Sequence, residues 1–97
     1  MSERLIVIES SELTFERGVR LRFDEARSAW TLMAPEKVVV LDEIAHEVVS
    51  ASLTDEVSVA QAIDALARKF QAPREEIAVD VVELLQGFAD KRLVRAR

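Results

Sequence analysis

The sequence lacks several residue types on which chemical sites are usually built. Its 97 residues include no cysteine and no tyrosine, only two glycines and a single histidine, His46. Without cysteine the chain can form neither a disulfide framework nor a thiolate metal site. Two glycines are too few for a glycine-rich phosphate loop, and His46 has no second nitrogen or sulfur ligand near it in the sequence. We therefore expect no metal, no cofactor and no catalytic activity.

Long hydrophobic runs are absent as well. No apolar stretch approaches the roughly 18 residues that a membrane-spanning helix requires, so we expect a cytoplasmic protein with no membrane partner. The net charge is −5, from 13 basic and 18 acidic side chains, and such a field repels nucleic acid. With 49% hydrophobic and 32% charged residues, a chain of this length should fold as one domain.

The first half of the chain predicts three β-strands. Apolar and charged residues alternate from Val19 to Asp24, which is the period of a half-buried strand. Trp30 and Leu32 resume the alternation, so the two segments predict a hairpin, and Pro35 ends its second strand. Residues 37–41, with the sequence KVVVL, consist of a lysine, three β-branched valines and a leucine, and this apolar run favours a third strand.

From Asp42 onward the apolar residues recur with the period of a helix. Asp42 can cap a first helix that runs to about residue 51. Ser58 and Gln61 form the capping-box pattern of a second helix, and Pro73 suits the first turn of a third. The residues expected to face inward are Ile44 and Val48 in the first helix, with Ala45 and Val49 as further candidates, then Val59, Ile63, Leu66 and Phe70 in the second, and Ile77, Val81, Leu84 and Phe88 in the third.

Together these elements predict an α+β domain over residues 15–97, in which a three-stranded antiparallel sheet is followed by three helices. Residues 1–14 are expected to be an N-terminal tail or an extra strand. A short turn between the last two helices makes the arrangement winged helix-turn-helix-like. A plain α+β domain, whose helices cover one face of the sheet, accounts for the same pattern.

A winged helix that read DNA would present basic side chains on its third helix. The third helix is instead acidic, with Arg74 and Lys91 as its only basic residues. Because non-specific DNA affinity depends on neutralising phosphates, this charge argues against a winged-helix DNA-binding regulator, which we keep as the alternative function. The acidic residues are Glu75, Glu76, Asp80, Glu83 and Asp90.

Arginines on the first predicted strand form a weak basic patch. Arg20 and Arg22 lie on one face of that strand, but the acidic residues Glu16, Asp24 and Glu25 flank them in the sequence. The simpler interpretation is a solvated sheet face with cross-strand ion pairs, which contribute little to stability. The alternative is that Arg20 or Arg22 docks a partner enzyme.

The third predicted strand lies at an edge of the sheet. An apolar edge strand without proline leaves backbone donors and acceptors free, and such an edge attracts another chain. An extended peptide could pair with it by strand addition. The apolar flank of the third helix would then contact the peptide, although residues 5–8 (LIVI) or a second copy of the protein are other possible contacts.

Several segments resemble the PqqD family of pyrroloquinoline quinone biosynthesis. They are GVRLRFDEAR at residues 18–27, the tryptophan that follows, the Ala-Pro-Glu turn at residues 34–36 before KVVVLDEIA, and FQAPREEIAVDVVELLQGFADKRLVR at residues 70–95. The resemblance covers roughly residues 15–96. One departure is the connection SLTDEVS, which lacks the Asp-Gly that similar proteins often have there.

The resemblance implies a peptide chaperone rather than an enzyme. PqqD-like proteins bind the precursor peptide PqqA and present it to the radical SAM enzyme PqqE, and related recognition elements take the peptide as an extra strand. For this chain the resemblance implies a site on the third strand and third helix. We expect no nucleic-acid partner, and a monomer or weak homodimer. The implied residues are Lys37, Val38, Val39, Val40 and Leu41 on the strand, and Ala78, Val82, Leu85 and Ala89 on the helix.

Overall fold

A computed structural model describes residues 4–97 of the chain. Residues 1–3, which belong to the predicted N-terminal tail, lie outside the described residues. A π-helical turn (Ser50–Thr54) continues α1 directly, and no helix of the described chain has the length and hydropathy to cross a membrane. The elements are β1 (Leu13–Phe15), β2 (Arg20–Asp24), β3 (Ala29–Ala34), β4 (Lys37–Leu41), α1 (Glu43–Val49), α2 (Val59–Phe70), α3 (Arg74–Asp90) and β5 (Val94–Ala96).

Strands β2, β3 and β4 form an antiparallel sheet in that order, and the three helices follow it in the chain. Ala34 pairs with Lys37, so the second hairpin has a two-residue loop made of Pro35 and Glu36. The predicted α+β fold, with a three-stranded antiparallel sheet before three helices, is confirmed. Strand β4 lies at one edge of this sheet.

Helix α1 begins as predicted, because the Asp42 carboxylate accepts a hydrogen bond from the Ala45 amide at 2.7 Å. Its buried residues are Ala45, Val48 and Val49. The prediction that Ile44 faces inward is wrong, since its side chain is 57% exposed. Ile44 precedes Ala45 by one residue, which turns it about 100° away from the buried face.

The capping box predicted for α2 is confirmed. The Ser58 hydroxyl accepts a hydrogen bond from the Gln61 amide at 3.2 Å, and the Gln61 side-chain oxygen accepts one from the Ser58 amide at 2.9 Å. The predicted inward stripe of α2 is wrong at Phe70, which is 44% exposed. Phe70 is the last residue of α2, and Gln71 then enters the left-handed region and turns the chain toward α3.

Helix α3 buries Val81, Leu85 and Phe88 in the core, whereas Ile77 and Leu84 are half-buried. The buried face is therefore rotated from the predicted stripe toward Leu85. One hydrophobic cluster joins this face to the sheet and the other helices, and it includes Leu32, Leu41, Val48, Val49, Val59, Ile63 and Leu66.

Strands β1 and β5 pair with each other at the two ends of the chain, and the sequence pattern predicts neither as a definite strand. Leu13 pairs with Ala96, and Phe15 pairs with Val94. Leu13 and Val94 are both buried, so this small sheet is part of the core. Strand β1 crosses the expected boundary between residues 1–14 and the domain. Three residues carry too little alternation to reveal a strand whose partner lies at the far end of the chain.

Candidate functional site

Strand β4 has one unpaired edge, because among the described residues it pairs only with β3. The residues that flank a two-residue hairpin loop form a hydrogen-bonded pair, and such pairs recur at every second residue. Val39, two residues after the loop-flanking Lys37, therefore shares backbone hydrogen bonds with Leu32. The backbone N–H and C=O groups of Val38 and Val40 point away from β3 and are open to a further strand.

The side chains of β4 alternate between two environments. Leu41 is buried in the core, and Val39 packs against the core cluster. Val38 and Val40 lie on the opposite face of the sheet and are 44% and 53% exposed. Exposed apolar side chains on an unpaired edge favour association with another chain. Of the five strand residues implied by the resemblance, Val38 and Val40 thus combine outward backbone groups with exposed side chains.

Lys37 connects the start of β4 to the end of α3. Its ammonium group donates a hydrogen bond to the backbone carbonyl of Lys91 at 2.6 Å. Helix residues seven positions apart lie within about 20° of one another around the axis, so Leu84 and Ile77 lie on the same side as Lys91. Both side chains are half-buried. We call Ile77 and Leu84 the β4 side of α3.

The opposite flank of α3 is covered by the N-terminal segment, residues 4–9. The Gln86 side-chain oxygen accepts a hydrogen bond from the Val7 amide, and its nitrogen donates one to the Leu5 carbonyl, both at 2.8 Å. Val7 is only 3% exposed and belongs to the core. Residues 5–8, a possible contact of the helix flank, therefore do pack on the domain.

Ion pairs hold both ends of the N-terminal segment. Arg4 donates two hydrogen bonds of 2.9 Å to Asp90, while Arg74 pairs with both Glu9 and Asp64. The hydrogen bonds from the guanidinium groups hold the pKa of Asp90 and the pKa of Glu9 below their ordinary values. Because these groups are exposed, each pair contributes little to stability. The segment runs along α3 from its C-terminal end to its N-terminal end.

The helix residues implied by the resemblance lie in the core or on this covered flank. Leu85 is completely buried, which leaves its side chain no surface for a ligand. Val82 lies about one helical turn before Gln86, and Ala78 lies about two turns before it. Ala89 lies seven residues after Val82 and so on the same flank. These three side chains are half-buried and pack against the core cluster. Around the helix they lie between the buried Leu85 and Gln86, whose side chain binds the N-terminal segment.

A cleft of about 880 Å³ marks the same flank near the C-terminal end of α3. Leu5 and Ile6 line one wall, and Ala89 and Asp90 line another. Sequence reasoning did not identify Ile77 and Leu84 as surface candidates, because their spacing fits a core stripe. The apolar residues 5–8 were the available signal that one flank of the helix would be covered from within the chain.

Trp30 and His46 form an aromatic stack beside the start of α1. The two rings lie 4.6 Å apart and are nearly parallel, and Phe23 meets Trp30 edge-on at 5.4 Å. The His46 Nε2 atom is 3.3 Å from the Ser50 hydroxyl. His46 is half-buried, and no group of three or more potential metal-ligating side chains occurs in the described part of the chain. The stack is a packing contact between β3 and α1.

Arg20 and Arg22 lie on the sheet face that also carries Val38 and Val40. Arg20 pairs in register with Met33, which pairs with Val38 in turn. Both arginines are exposed, and neither forms an ion pair with another described residue. The cross-strand ion pairs expected for them are therefore not present in the described chain. Each guanidinium group is available to an external carboxylate.

The fold and the open edge define a class: a small winged α+β domain with an unpaired, apolar edge strand. The family model described as "Coenzyme PQQ synthesis protein D (PqqD)" matches residues 29–94. The chain belongs to the PqqD family.

Curated relatives support this assignment over most of the chain. A "PqqA binding protein" from Rhodopseudomonas palustris (strain BisB5) is 45% identical over 91 residues, which cover 93% of this chain and 87% of the relative. A protein of the same name from Xanthomonas oryzae is 47% identical over 78 residues, or 80% of this chain and 84% of the relative.

Two solved structures are similar as well. The solution structure of the PqqD part of Methylobacterium extorquens PqqCD, described as a functional, stand-alone RiPP recognition element, has a TM-score of 0.75 at 32% identity. It covers 92% of this chain and 94% of that one. The crystal structure of PqqD from Xanthomonas campestris has a TM-score of 0.55 at 46% identity, covering 81% and 87% of the two chains.

Proposed function

We propose that this protein binds the precursor peptide PqqA as an added strand along the free edge of β4 and presents it to the radical SAM enzyme PqqE. The observation that carries the proposal is the open backbone of Val38 and Val40 on an apolar edge. The names of the relatives supply the peptide, since they are called PqqA binding proteins.

Strand addition suits this edge for a physical reason. A guest strand obtains affinity from main-chain hydrogen bonds and specificity from contacts with its alternate side chains. The side chains of a peptide bound beside β4 would alternate between two environments. Every second side chain would lie beside the exposed Val38 and Val40, and the others would face the Ile77 and Leu84 side of α3. The site therefore favours a peptide with apolar residues on both faces of its bound segment.

Calorimetric titration with synthetic PqqA from Rhodopseudomonas palustris tests the proposal, with a scrambled peptide of the same composition as the control. We expect saturable binding, and we expect slower hydrogen exchange at the Val38 and Val40 amides in the complex, because those groups gain partners. Absence of saturable binding at tens of micromolar peptide, together with retardation of DNA at ordinary salt, would instead favour the winged-helix regulator. The acidic solvent face of α3 argues against that alternative.

Arg20 and Arg22 are the proposed contact for the enzyme. Their guanidinium groups lie on the face beside the peptide edge and are free for carboxylates of a partner. The double variant Arg20→Ser/Arg22→Ser should change the free energy of unfolding by less than about 1 kcal/mol. It should leave PqqA affinity unchanged while slowing association with PqqE and weakening the salt dependence of that rate. Equal association rates for both proteins at low and high salt would remove these arginines from the enzyme contact.

A further inference from the structure

The two glycines of this chain stand in opposite situations. Gly18 has a φ of +81°, a conformation that other residues rarely adopt, and an added Cβ would lie 3.3 Å from the Pro35 ring. Its backbone and its surroundings both require glycine. Gly87 lies in the last turn of α3, and no heavy atom lies within 4 Å of the position of an added Cβ. Neither backbone conformation nor packing within the described chain explains Gly87.

Helix termination does not explain Gly87 either. Helix α3 ends in a Schellman motif, in which the Leu93 amide donates to the Phe88 carbonyl at 2.9 Å and the Arg92 amide donates to the Ala89 carbonyl at 3.0 Å. The left-handed position of that motif, where glycine is favoured, is held by Arg92 with a φ of +60°. Glycine thus stands at a helical position that favours alanine, and it is absent from the position that favours glycine.

The location of Gly87 relates it to β4. Gly87 precedes Lys91 by four residues, so the two lie on neighbouring turns of one side of the helix. The Lys91 carbonyl accepts the hydrogen bond from Lys37, the first residue of β4. The bare helix backbone at Gly87 therefore lies near the end of α3 that the open strand approaches.

We infer that Gly87 is a point of close approach, where the backbone of the peptide bound to β4 passes against α3 and leaves no room for a Cβ. This inference rests on the proposed function and adds a specificity-determining residue to it. Glycine is the residue that lets another backbone or a ligand approach a helix closely. A methyl group at this position fills space that is empty in the free protein and required in the complex.

Three variants test the inference: Gly87→Ala, Gly87→Leu and the control Val79→Ala. Val79 is 58% exposed and lies eight residues earlier, about 80° round the helix from Gly87. Gly87→Ala and Val79→Ala should each raise the melting temperature, because alanine has the higher helix propensity in both cases. Gly87→Ala should bind synthetic PqqA about tenfold more weakly than the parent, as expected for overpacking of a closed contact. Gly87→Leu should bind still more weakly, and Val79→Ala should bind as the parent does.

The outcomes separate the two levels of the argument. If the parent binds PqqA and both Gly87 variants bind it equally well while remaining folded by circular dichroism, the close approach is disproved and the proposed function stands. If Gly87→Ala lowers the melting temperature, the position is already packed in the free protein and the inference also fails. If the parent itself does not bind PqqA, the proposed function fails.

Discussion

The two flanks of α3 differ in what the chain itself places against them. On the Gln86 flank, the N-terminal segment is already in place, fixed by side-chain hydrogen bonds, buried Val7 and ion pairs at both ends. On the β4 side, the chain supplies a strand with open backbone groups, and no segment among residues 4–97 pairs with them. The difference teaches that the chain closes one flank of α3 with its own N-terminal segment and leaves the strand beside the other flank without a partner among the described residues.

The largest expected effect comes from the core that separates the two flanks. Leu85→Ala should lower the free energy of unfolding by about 2–5 kcal/mol, because Leu85 is completely buried and the deletion leaves a cavity. Val82→Ala, on the half-buried covered flank, should cost about 1 kcal/mol. Urea denaturation measures both. A loss of peptide affinity without loss of stability in Leu85→Ala would show that Leu85 reaches the ligand.

Proline substitution in β4 sharpens the difference between its two edges. Val39→Pro should destabilise the protein by about 1–3 kcal/mol, because it removes a backbone donor paired with Leu32 in β3. Val38→Pro should leave the melt nearly unchanged, since the Val38 amide points outward, but it should reduce PqqA affinity by removing a donor for the guest strand. Circular dichroism melts and calorimetry distinguish the two variants. Equal melts for both would indicate that the register of hydrogen-bonded pairs is wrong.

On the covered flank, Gln86→Ala should loosen the N-terminal segment by about 1–2 kcal/mol. The substitution removes both hydrogen bonds to Leu5 and Val7 and leaves the Val7 amide, on a buried residue, without a partner. Gln86→Glu is a partial control, because its carboxylate can accept from Val7 but cannot donate to Leu5 or to Asp90. Hydrogen exchange at the Val7 amide should be fastest in Gln86→Ala. Peptide affinity should not change if the two flanks are independent.

Lowering the pH should loosen the N-terminal segment from α3 before it affects strand β4. Glu9 and Asp90 have pKa values lowered by hydrogen bonds from Arg74 and Arg4. A lowered pKa means that the ionised groups stabilise the fold above their ordinary pKa values of about 4, and that this contribution is lost as the pH falls through the lowered values. Exchange at Val7, corrected for its intrinsic pH dependence, should therefore be constant from pH 7 to about pH 5 and rise below about pH 4.

The Val39 amide is the internal reference for this experiment, because its hydrogen bond to β3 involves no carboxylate. Its corrected exchange should remain unchanged through the same pH range. Equal acid sensitivity at Val7 and Val39 would mean that acid opens the whole domain rather than the segment.

Elements whose signals are local could be predicted from the sequence. The alternation around Arg20 and Arg22 predicts β2, Asp42 predicts the start of α1, and the Ser58–Gln61 pair predicts the start of α2. Each prediction is confirmed. The two caps act on backbone amides three residues away, and the strand signal is an alternation contained within the strand itself. The two wrong predictions concern Ile44 and Phe70, which adjoin buried residues that were predicted correctly. Ile44 is one residue from the buried face of α1, and Phe70 is the last residue of α2, so both side chains are exposed.

The candidate site divides in the same way. The apolar residues of β4 and their place after a proline turn are properties of the sequence alone, and they predict an edge strand wherever the hairpin forms. Which flank of α3 faces that edge was decided only in the tertiary structure. The choice depends on contacts between distant parts of the chain, namely Val7 with Gln86 and Lys37 with Lys91. Helical periodicity specifies the angle between two flanks of a helix but not which neighbour each flank meets, because that depends on how the whole chain closes around the core.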